Sequence, residues 1–405
     1  MSSTGRRRAV PIAVVLAAAL TVTATACGPE DGGSDAGAEP GVSASAGNGS
    51  DGGRLGGIRL PDELPAALRD FDPEKWKNGE WRDWDPDRWL REAKDFVNPV
   101  IEGLWDPDRM RDAEENDRRV DEEDVDGGTD GGGSRDEGVT DPEPEPRKAR
   151  PVRTPYRENA PAVGKVFMDT PKGAMVCSGT VVKDPNRPGR SDLVATAGHC
   201  VHAGRNGGWF RNVVFVPSYN DTALGAAELG RASREEVAPH GVYWATWAQT
   251  TEHWIENGAE TGGAGASQDF AVLRVEPEEK GGRSLEETVG AALPVDFGTP
   301  AVSSVAAHGY PAAPPFDGLT MHTCADRPGR LTLGPSESTM YRIGCTMTGG
   351  SSGGGWFAAD PSGGSVLVSV TSIGTPDHTW LAGPRLGDEA EGVLTAVSEK
   401  YAGGS

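Results

Sequence analysis

From about residue 159 onward, apolar and β-branched residues fall into short runs separated by Gly, Pro, Asn and Asp. Such runs occupy 175–182, 193–197, 212–216, 270–275, 302–308 and 365–371. Runs of this length, each followed by turn-forming residues, predict strands, and their number predicts an all-β domain. One segment breaks the pattern near the C-terminus. Between 389 and 401, Val393, Leu394, Val397 and Tyr401 recur at helical spacing, which predicts a helix with one apolar face.

The first part of the chain lacks these runs. Residues 28–57 are rich in Gly, Ser, Ala and Asp and read as a disordered linker. The stretch 119–158 reads as a second linker: it is acidic and Gly-rich over 121–138, and then alternates Pro with Glu at 142–146, which favours extended chain. Between the linkers, 58–118 is different. Asp-Pro steps recur at Asp72-Pro73, Asp85-Pro86 and Asp106-Pro107, flanked by aromatic residues that include Trp76, Trp84, Trp89 and Trp105. Asp can accept from free N–H groups at a helix start, and Pro tolerates the first helical position, so the repeats predict short helices with aromatic faces. Such a segment either packs on itself or on the domain that follows, or docks a protein or envelope partner.

The N-terminus has the layout of an export signal. Arg6, Arg7 and Arg8 precede an apolar stretch from Val10 to Ala26, and small residues lead into Cys27. The arrangement resembles a bacterial lipoprotein signal, in which the cysteine becomes the lipidated N-terminus. Lipidation of Cys27 would place the protein on the extracellular side of the membrane; plain cleavage would secrete it. Of the five cysteines, Cys177, Cys200, Cys324 and Cys345 then remain for two disulfides, which persist in an exported protein.

Gly and Pro number 57 and 31, and only 36% of residues are hydrophobic, as expected of a globular part diluted by linkers. The formal net charge is -22, and residues 28–150 carry 34 acids against 17 bases. With no basic stripe to neutralise phosphates, nucleic acid is excluded as a partner.

Three local sequences carry chemistry. Thr196-Ala197-Gly198-His199-Cys200 follows a strand. Asp269 opens the apolar run Phe270-Ala271-Val272-Leu273. Gly349-Gly350-Ser351-Ser352-Gly353-Gly354-Gly355 surrounds a serine with glycine. A serine hydroxyl becomes a nucleophile when an imidazole takes its proton and a carboxylate holds that imidazole in the right tautomer. The oxyanion that forms needs fixed backbone donors, and a Gly-rich turn lets main chain approach the substrate. Asp192 and Asp221 are alternative carboxylates, but neither opens an apolar strand well after the histidine.

These motifs resemble those of the chymotrypsin-like (trypsin-like) serine peptidases over roughly residues 160–405, in the order His, Asp, Ser that this family uses. The resemblance implies two Greek-key β-barrels with a cleft between them. It implies Ser352 as nucleophile, His199 as general base and then acid, Asp269 as its orienter, and the N–H groups of Gly350 and Ser352 as the oxyanion hole. It further implies a Cys177–Cys200 bridge beside the histidine, which leaves Cys324 to pair with Cys345. Thr346 stands where the floor of the primary pocket is expected. Thr371, Ser372, Ile373 and Gly374 form the expected edge strand for substrate backbone, with His378 nearby.

Two positions depart from the family pattern. Ser351 replaces the usual Asp before the nucleophile, and Gly355 replaces a common Pro. Without that Asp, activation through a freshly cut N-terminus has no anchor. The expectation is a domain competent without such cleavage, close to the bacterial glutamyl-endopeptidase branch. His202, His240, His253, His308 and His322 lack metal-ligand spacing, so no metal or cofactor is expected. Trp209, Trp244, Trp247 and Trp254 read as packing residues. The function expected is an exported serine endopeptidase acting on protein or peptide; the alternative is a catalytically silent protease-fold binding protein at the cell surface.

Overall fold

The computed structural model describes residues 54–55, 58–59, 96, 98–121, 125, 137–279, 281–298, 302–334, 337–360 and 363–403. The export signal, Cys27, most of the 28–57 linker and the first two Asp-Pro repeats lie outside the described residues. Among the described residues no helix is long and apolar enough to cross a membrane.

Closure of the first barrel begins with the longest strand. The apolar run at 175–182 lies in β7 (Gly173–Val182), whose ten residues are enough to pair with two neighbours. A two-residue turn joins it to β6 (Val163–Thr170), in register from Thr170↔Gly173 to Val163↔Thr180. Its far end pairs with β8 (Leu193–Thr196). β9 (Arg211–Pro217), β10 (Tyr243–Thr250) and β11 (Ala271–Pro277) complete the order β7-β6-β9-β10-β11-β8, and the β7–β8 pairing closes six strands into a barrel.

Both faces of this barrel's strands are buried. On β6, Val166 packs in the cluster with Cys177, Ala195 and Phe215, while its neighbour Phe167 belongs to a second cluster with Val176 and Val214. Successive side chains point to opposite faces, so two clusters from one strand mean an inner and an outer core. Residues 100–113 cover the outer one: Val100, Ile101, Trp105 and Met110 are all buried in it. Trp105 is fully buried, with its ring 5.3 Å from Phe167 and its indole N–H on the Asn212 carbonyl at 2.7 Å. The third Asp-Pro repeat forms the helix Pro107–Asp112, and Asp106 accepts from the Arg109 N–H at 2.8 Å. From that helix Arg109 reaches the buried Asp169 of β6, which also accepts from Asn212. The strands β1 (Arg54–Leu55), β2 (Ile58–Arg59) and β3 (Val100–Ile101) form a small antiparallel sheet.

The second half is built from two sheets. One orders β17 (Ser365–Val370), β16 (Gly355–Ala359), β12 (Val305–Gly309), β13 (His322–Asp326) and β5 (Arg150–Pro151). The other orders β14 (Gly329–Leu331), β15 (Met340–Gly344), β19 (Trp380–Gly383) and β18 (Ile373–Gly374). Val305, Ala307, Trp356 and Ala358 of the first sheet pack against Tyr341, Ile343 and Leu381 of the second. The Cys324–Cys345 bridge (S–S 2.10 Å) lies in the same cluster and ties the sheets together. The all-β, double-barrel architecture is therefore present. The helix Asp388–Lys400 follows it, with Val393, Leu394 and Val397 buried against the first barrel's core.

The folded unit extends beyond the start expected at 159. Residues 137–158 run along the second half rather than standing away from it: Asp141 binds Arg330 through two guanidinium nitrogens, and Arg150–Pro151 adds a strand to β13. Alternating Pro keeps this stretch extended, so its carbonyls and carboxylates stay free to pair along a sheet edge.

Candidate active site

His199 sits where β8 runs out. Thr196 ends the strand with its hydroxyl on the Ser178 carbonyl at 2.9 Å, and Gly198–Cys200 turns as a single 3-10 unit. The Cys177–Cys200 bridge (S–S 2.06 Å) fastens that turn to β7. Asp269 lies just before β11, which pairs with β8 from Ala271↔Thr196. The pairing brings the carboxylate under the histidine. Asp269 Oδ1 accepts the His199 backbone N–H at 2.8 Å, and Oδ2 lies 2.6 Å from His199 Nδ1. Ser372 donates its hydroxyl to the same Oδ2 at 2.6 Å. Both His199 and Asp269 are fully buried.

The carboxylate thus fixes the imidazole by backbone and ring at once, and Nδ1 is held as the donor nitrogen. Nε2 is left as the basic nitrogen, buried and without a hydrogen-bond partner among the described residues. Asp192 and Asp221 are engaged elsewhere, with Arg187 and Arg157 respectively.

The serine loop is held from three sides. The Ser178 N–H donates to the Ser352 carbonyl at 2.7 Å, and the Ser178 hydroxyl donates to the Gly350 carbonyl at 2.9 Å. The Ala312 N–H donates to the Gly349 carbonyl at 2.6 Å, and the Gly353 N–H to the Thr371 carbonyl at 2.7 Å. Gly350 has φ +92, which a side chain would strain. A Cβ on Gly353 would lie 2.1 Å from Thr196 Oγ1 and 2.9 Å from the Ala197 nitrogen. Only glycine lets the loop close against the strand end that carries His199. The N–H groups of Gly350 and Ser352 have no acceptor among the described residues. Paired free N–H groups at a Gly turn can take an oxyanion.

Ser352 is almost wholly buried. Its hydroxyl makes no hydrogen bond to His199 Nε2, which has no partner among the described residues. Ser351 turns its own hydroxyl back to the Thr348 carbonyl at 2.6 Å. Gly355 opens β16, paired with Val370.

The remaining expected site residues are placed as follows. Thr346 accepts the Ala149 N–H on its hydroxyl at 3.0 Å, so that group is used by the 147–149 stretch. Ser372 serves Asp269 with its side chain, and its N–H donates to the Ala382 carbonyl. Gly374 lies on the edge of the second sheet in β18. His378 is half-buried with φ +56. His202 is buried, its pKa pushed down to about 4 by desolvation, with Nδ1 accepting the Gly204 N–H. Trp254 donates its indole N–H to the His202 carbonyl and stands 6.0 Å from the His199 ring. One cluster of potential metal ligands occurs among the described residues, Cys177, His199 and Cys200; its sulfurs are bonded to each other and offer no thiolate.

Sequence reasoning missed several residues here. Ser178 follows Cys177 in β7 and bridges two loops. Residues 114–120, assigned to the Trp-rich segment and the linker, cross the site. Asn116 donates its side-chain N–H to the His199 carbonyl at 2.9 Å. Arg118 is buried; burial lowers its pKa, and Asp269, Asp117 and Glu115 oppose that shift. A charged run such as Glu114-Glu115-Asn116-Asp117-Arg118-Arg119 carries no sequence signal of burial, because its contacts come from the fold.

Comparison with known proteins agrees with the motifs. A family model described as a trypsin-like peptidase domain matches residues 177–367, a span that contains His199, Asp269 and Ser352. Among solved structures, a thermostable serine protease, AL20, from an extremophilic microorganism is 34% identical, with 59% of this chain and 98% of that chain covered and a TM-score of 0.49. The protease Anisep from Arthrobacter nicotinovorans is 28% identical, with 62% and 99% covered and a TM-score of 0.48. A Glu endopeptidase is 16% identical, with 64% and 100% covered and a TM-score of 0.44. No curated protein sequence matches. With the barrel, the buried His199–Asp269 pair, the glycine-framed serine and the family match all in place, the chain belongs to the chymotrypsin-like (trypsin-like) serine peptidases.

Proposed function

We propose that the protein is an exported serine endopeptidase that works through Ser352, His199 and Asp269. Ser352 Oγ attacks the carbonyl carbon of a peptide bond while His199 Nε2 takes its proton. The oxyanion that forms is held by the N–H groups of Gly350 and Ser352. Collapse breaks the C–N bond, and His199 returns the proton to the leaving amine. Water then adds to the acyl-enzyme by the same route and frees the acid. Asp269 keeps Nδ1–H pointed at itself, so Nε2 stays available as base, and it stabilises the imidazolium.

The observation that carries this reading is the Asp269 cradle. One carboxylate takes the His199 ring at 2.6 Å, the His199 backbone at 2.8 Å and the Ser372 hydroxyl at 2.6 Å, an arrangement that a binding scaffold does not need. A fluorophosphonate probe tests it. Covalent capture that disappears in Ser352→Ala supports the enzyme. Absence of capture both in the native chain and in the cleft-opening variants described below supports the silent binding protein. That alternative draws on one observation, the missing hydrogen bond between Ser352 and Nε2; the enzyme reading requires the two to come within hydrogen-bond reach when substrate binds.

Endopeptidase action is tested with peptides blocked at both ends, which an exopeptidase leaves intact. Substrate backbone would pair with the edge at Gly374, and a peptide library would establish whether preference follows the glutamyl-endopeptidase branch. Lipid attachment at Cys27 and an extracellular membrane location are tested by mass analysis of the mature N-terminus and by loss of membrane retention in Cys27→Ser.

A further inference from the structure

Residues 114–120 cross the cleft from one barrel to the other. Glu114–Glu115 adds a short parallel strand, β4, to β7 at Met175–Val176. Asn116 then bonds the His199 carbonyl. A Cβ on Gly349 would lie 2.7 Å from both the Asp117 Cβ and Glu115 Oε2, so the segment presses on the turn that leads into the serine. Beyond it, the Gly374 N–H donates to the Arg118 carbonyl at 3.2 Å and the Val120 N–H donates to the Gly374 carbonyl at 3.1 Å. The Arg119–Gly374 pairing is parallel. Val120 ends the crossing, fully buried with Ile373, Trp380, Leu331 and Met340.

We infer that residues 114–120 are an autoinhibitory strap that fills the substrate cleft of the peptidase without serving as a substrate. The inference rests on the peptidase reading above. Three observations carry it. Both main-chain groups of Gly374, which a substrate would need, are taken by the strap. The base and nucleophile are sealed, His199 being fully buried and Ser352 nearly so. The N–H groups of Gly350 and Ser352 nevertheless donate to no strap carbonyl, so no peptide bond of the strap is presented for attack. The strap is held on its upstream side by the buried Trp105 and by the Arg109–Asp169 pair. Occupation of the cleft would then restrain the enzyme in place of the missing Asp-to-N-terminus switch, with no cleavage at the front of the domain required.

The test uses the full chain. Val120→Asp places a carboxylate in the strap's apolar socket, and Asn116→Ala removes the strap's bond at His199 without leaving a large hole. Each is compared with the native chain for its rate of fluorophosphonate labelling, with Ser352→Ala as blank and thermal unfolding as a check that the domain is intact. Labelling about tenfold faster or more is expected, the factor that corresponds to about 1.4 kcal/mol of lost docking. If Val120→Asp fails to fold, Asn116→Ala decides. A native chain that labels as fast as the folded variants overturns the strap and leaves the peptidase reading standing. No labelling in any of them overturns the peptidase reading, and the strap's inhibitory role with it.

Discussion

Ser178 is the residue through which the first barrel sets the shape of the serine loop, and Ser178→Ala measures that coupling. The side chain is fully buried. Its hydroxyl donates to the Gly350 carbonyl at 2.9 Å and accepts the Tyr310 N–H at 2.9 Å. Alanine removes both contacts in a space that water does not reach, leaving a buried C=O and a buried N–H unpaired. Each such group costs about 1–3 kcal/mol, so the expected destabilisation is about 2–6 kcal/mol. That is a large share of the roughly 5–15 kcal/mol that holds a domain. The catalytic effect has a separate origin. The peptide plane after Gly350 is then anchored only through Ser351, so the Gly350–Ser352 donors lose part of their alignment, while the Gly374 edge is untouched. Complete loss of one oxyanion donor costs about 10²–10³ in kcat, so partial misalignment is expected to lower kcat by at least tenfold with KM little changed. The assays are urea denaturation with disulfides intact and turnover of a blocked fluorogenic peptide, both in the Asn116→Ala background so that the cleft is open. Ser178→Cys, which keeps a weak donor, is expected to recover part of both losses. A destabilisation below about 0.5 kcal/mol together with an unchanged kcat would refute the coupling.

Three further outcomes are expected. Asp269→Asn keeps an oxygen for the His199 backbone N–H but turns an amide donor toward Nδ1, favouring the wrong tautomer; peptide turnover should fall by about 10⁴ while the melting temperature changes little, and a fall below tenfold would reject the orienting role. Trp105→Ala empties a fully buried indole site and breaks its bond to the Asn212 carbonyl; denaturant titration should read a loss of about 3–5 kcal/mol, and faster hydrogen exchange should appear in 100–120. Lys165 is fully buried, its amine on the Gly318 carbonyl at 2.8 Å, and desolvation pulls its pKa down to about 7. The unfolded chain therefore binds a proton that the folded chain gives up between pH 7 and the ordinary lysine value, so stability relative to Lys165→Met should rise with pH across that window and fall again as pH drops toward 7; a pH-independent difference would show that the amine stays charged when buried.

The strands legible in the sequence are those dense in apolar and β-branched residues and bounded by turn-forming residues. The runs at 175–182, 193–197, 212–216, 270–275, 302–308 and 365–371 overlap β7, β8, β9, β11, β12 and β17, because enough apolar and β-branched residues fall in each for the run to stand out from the turns around it. β6 escaped notice although every residue in it is buried, since Lys165 and Asp169 interrupt its pattern. Their charges are tolerated only because Gly318, Arg109 and Asn212 reach them from elsewhere in the chain. β10 is broken by a bulge between Ala245 and Trp247, which shifts its alternation midway.

The site divides in the same way. His199, Asp269 and the serine loop sit in short motifs, each of which carries its own turn or strand, so they can be read locally. Ser178 and Asn116 act on partners 172 and 83 residues away, and nothing in their neighbours marks them. The strap is the extreme case. Its sequence is that of a solvated charged linker, yet it docks through main-chain hydrogen bonds to β7 and Gly374 that almost any residues could make. Side-chain identity decides little in such a contact except at Asn116, Arg118 and Val120. Inhibition by backbone pairing is therefore nearly invisible in a single sequence, whereas the catalytic groups it covers, whose chemistry depends on side chains, are the most visible residues in the chain.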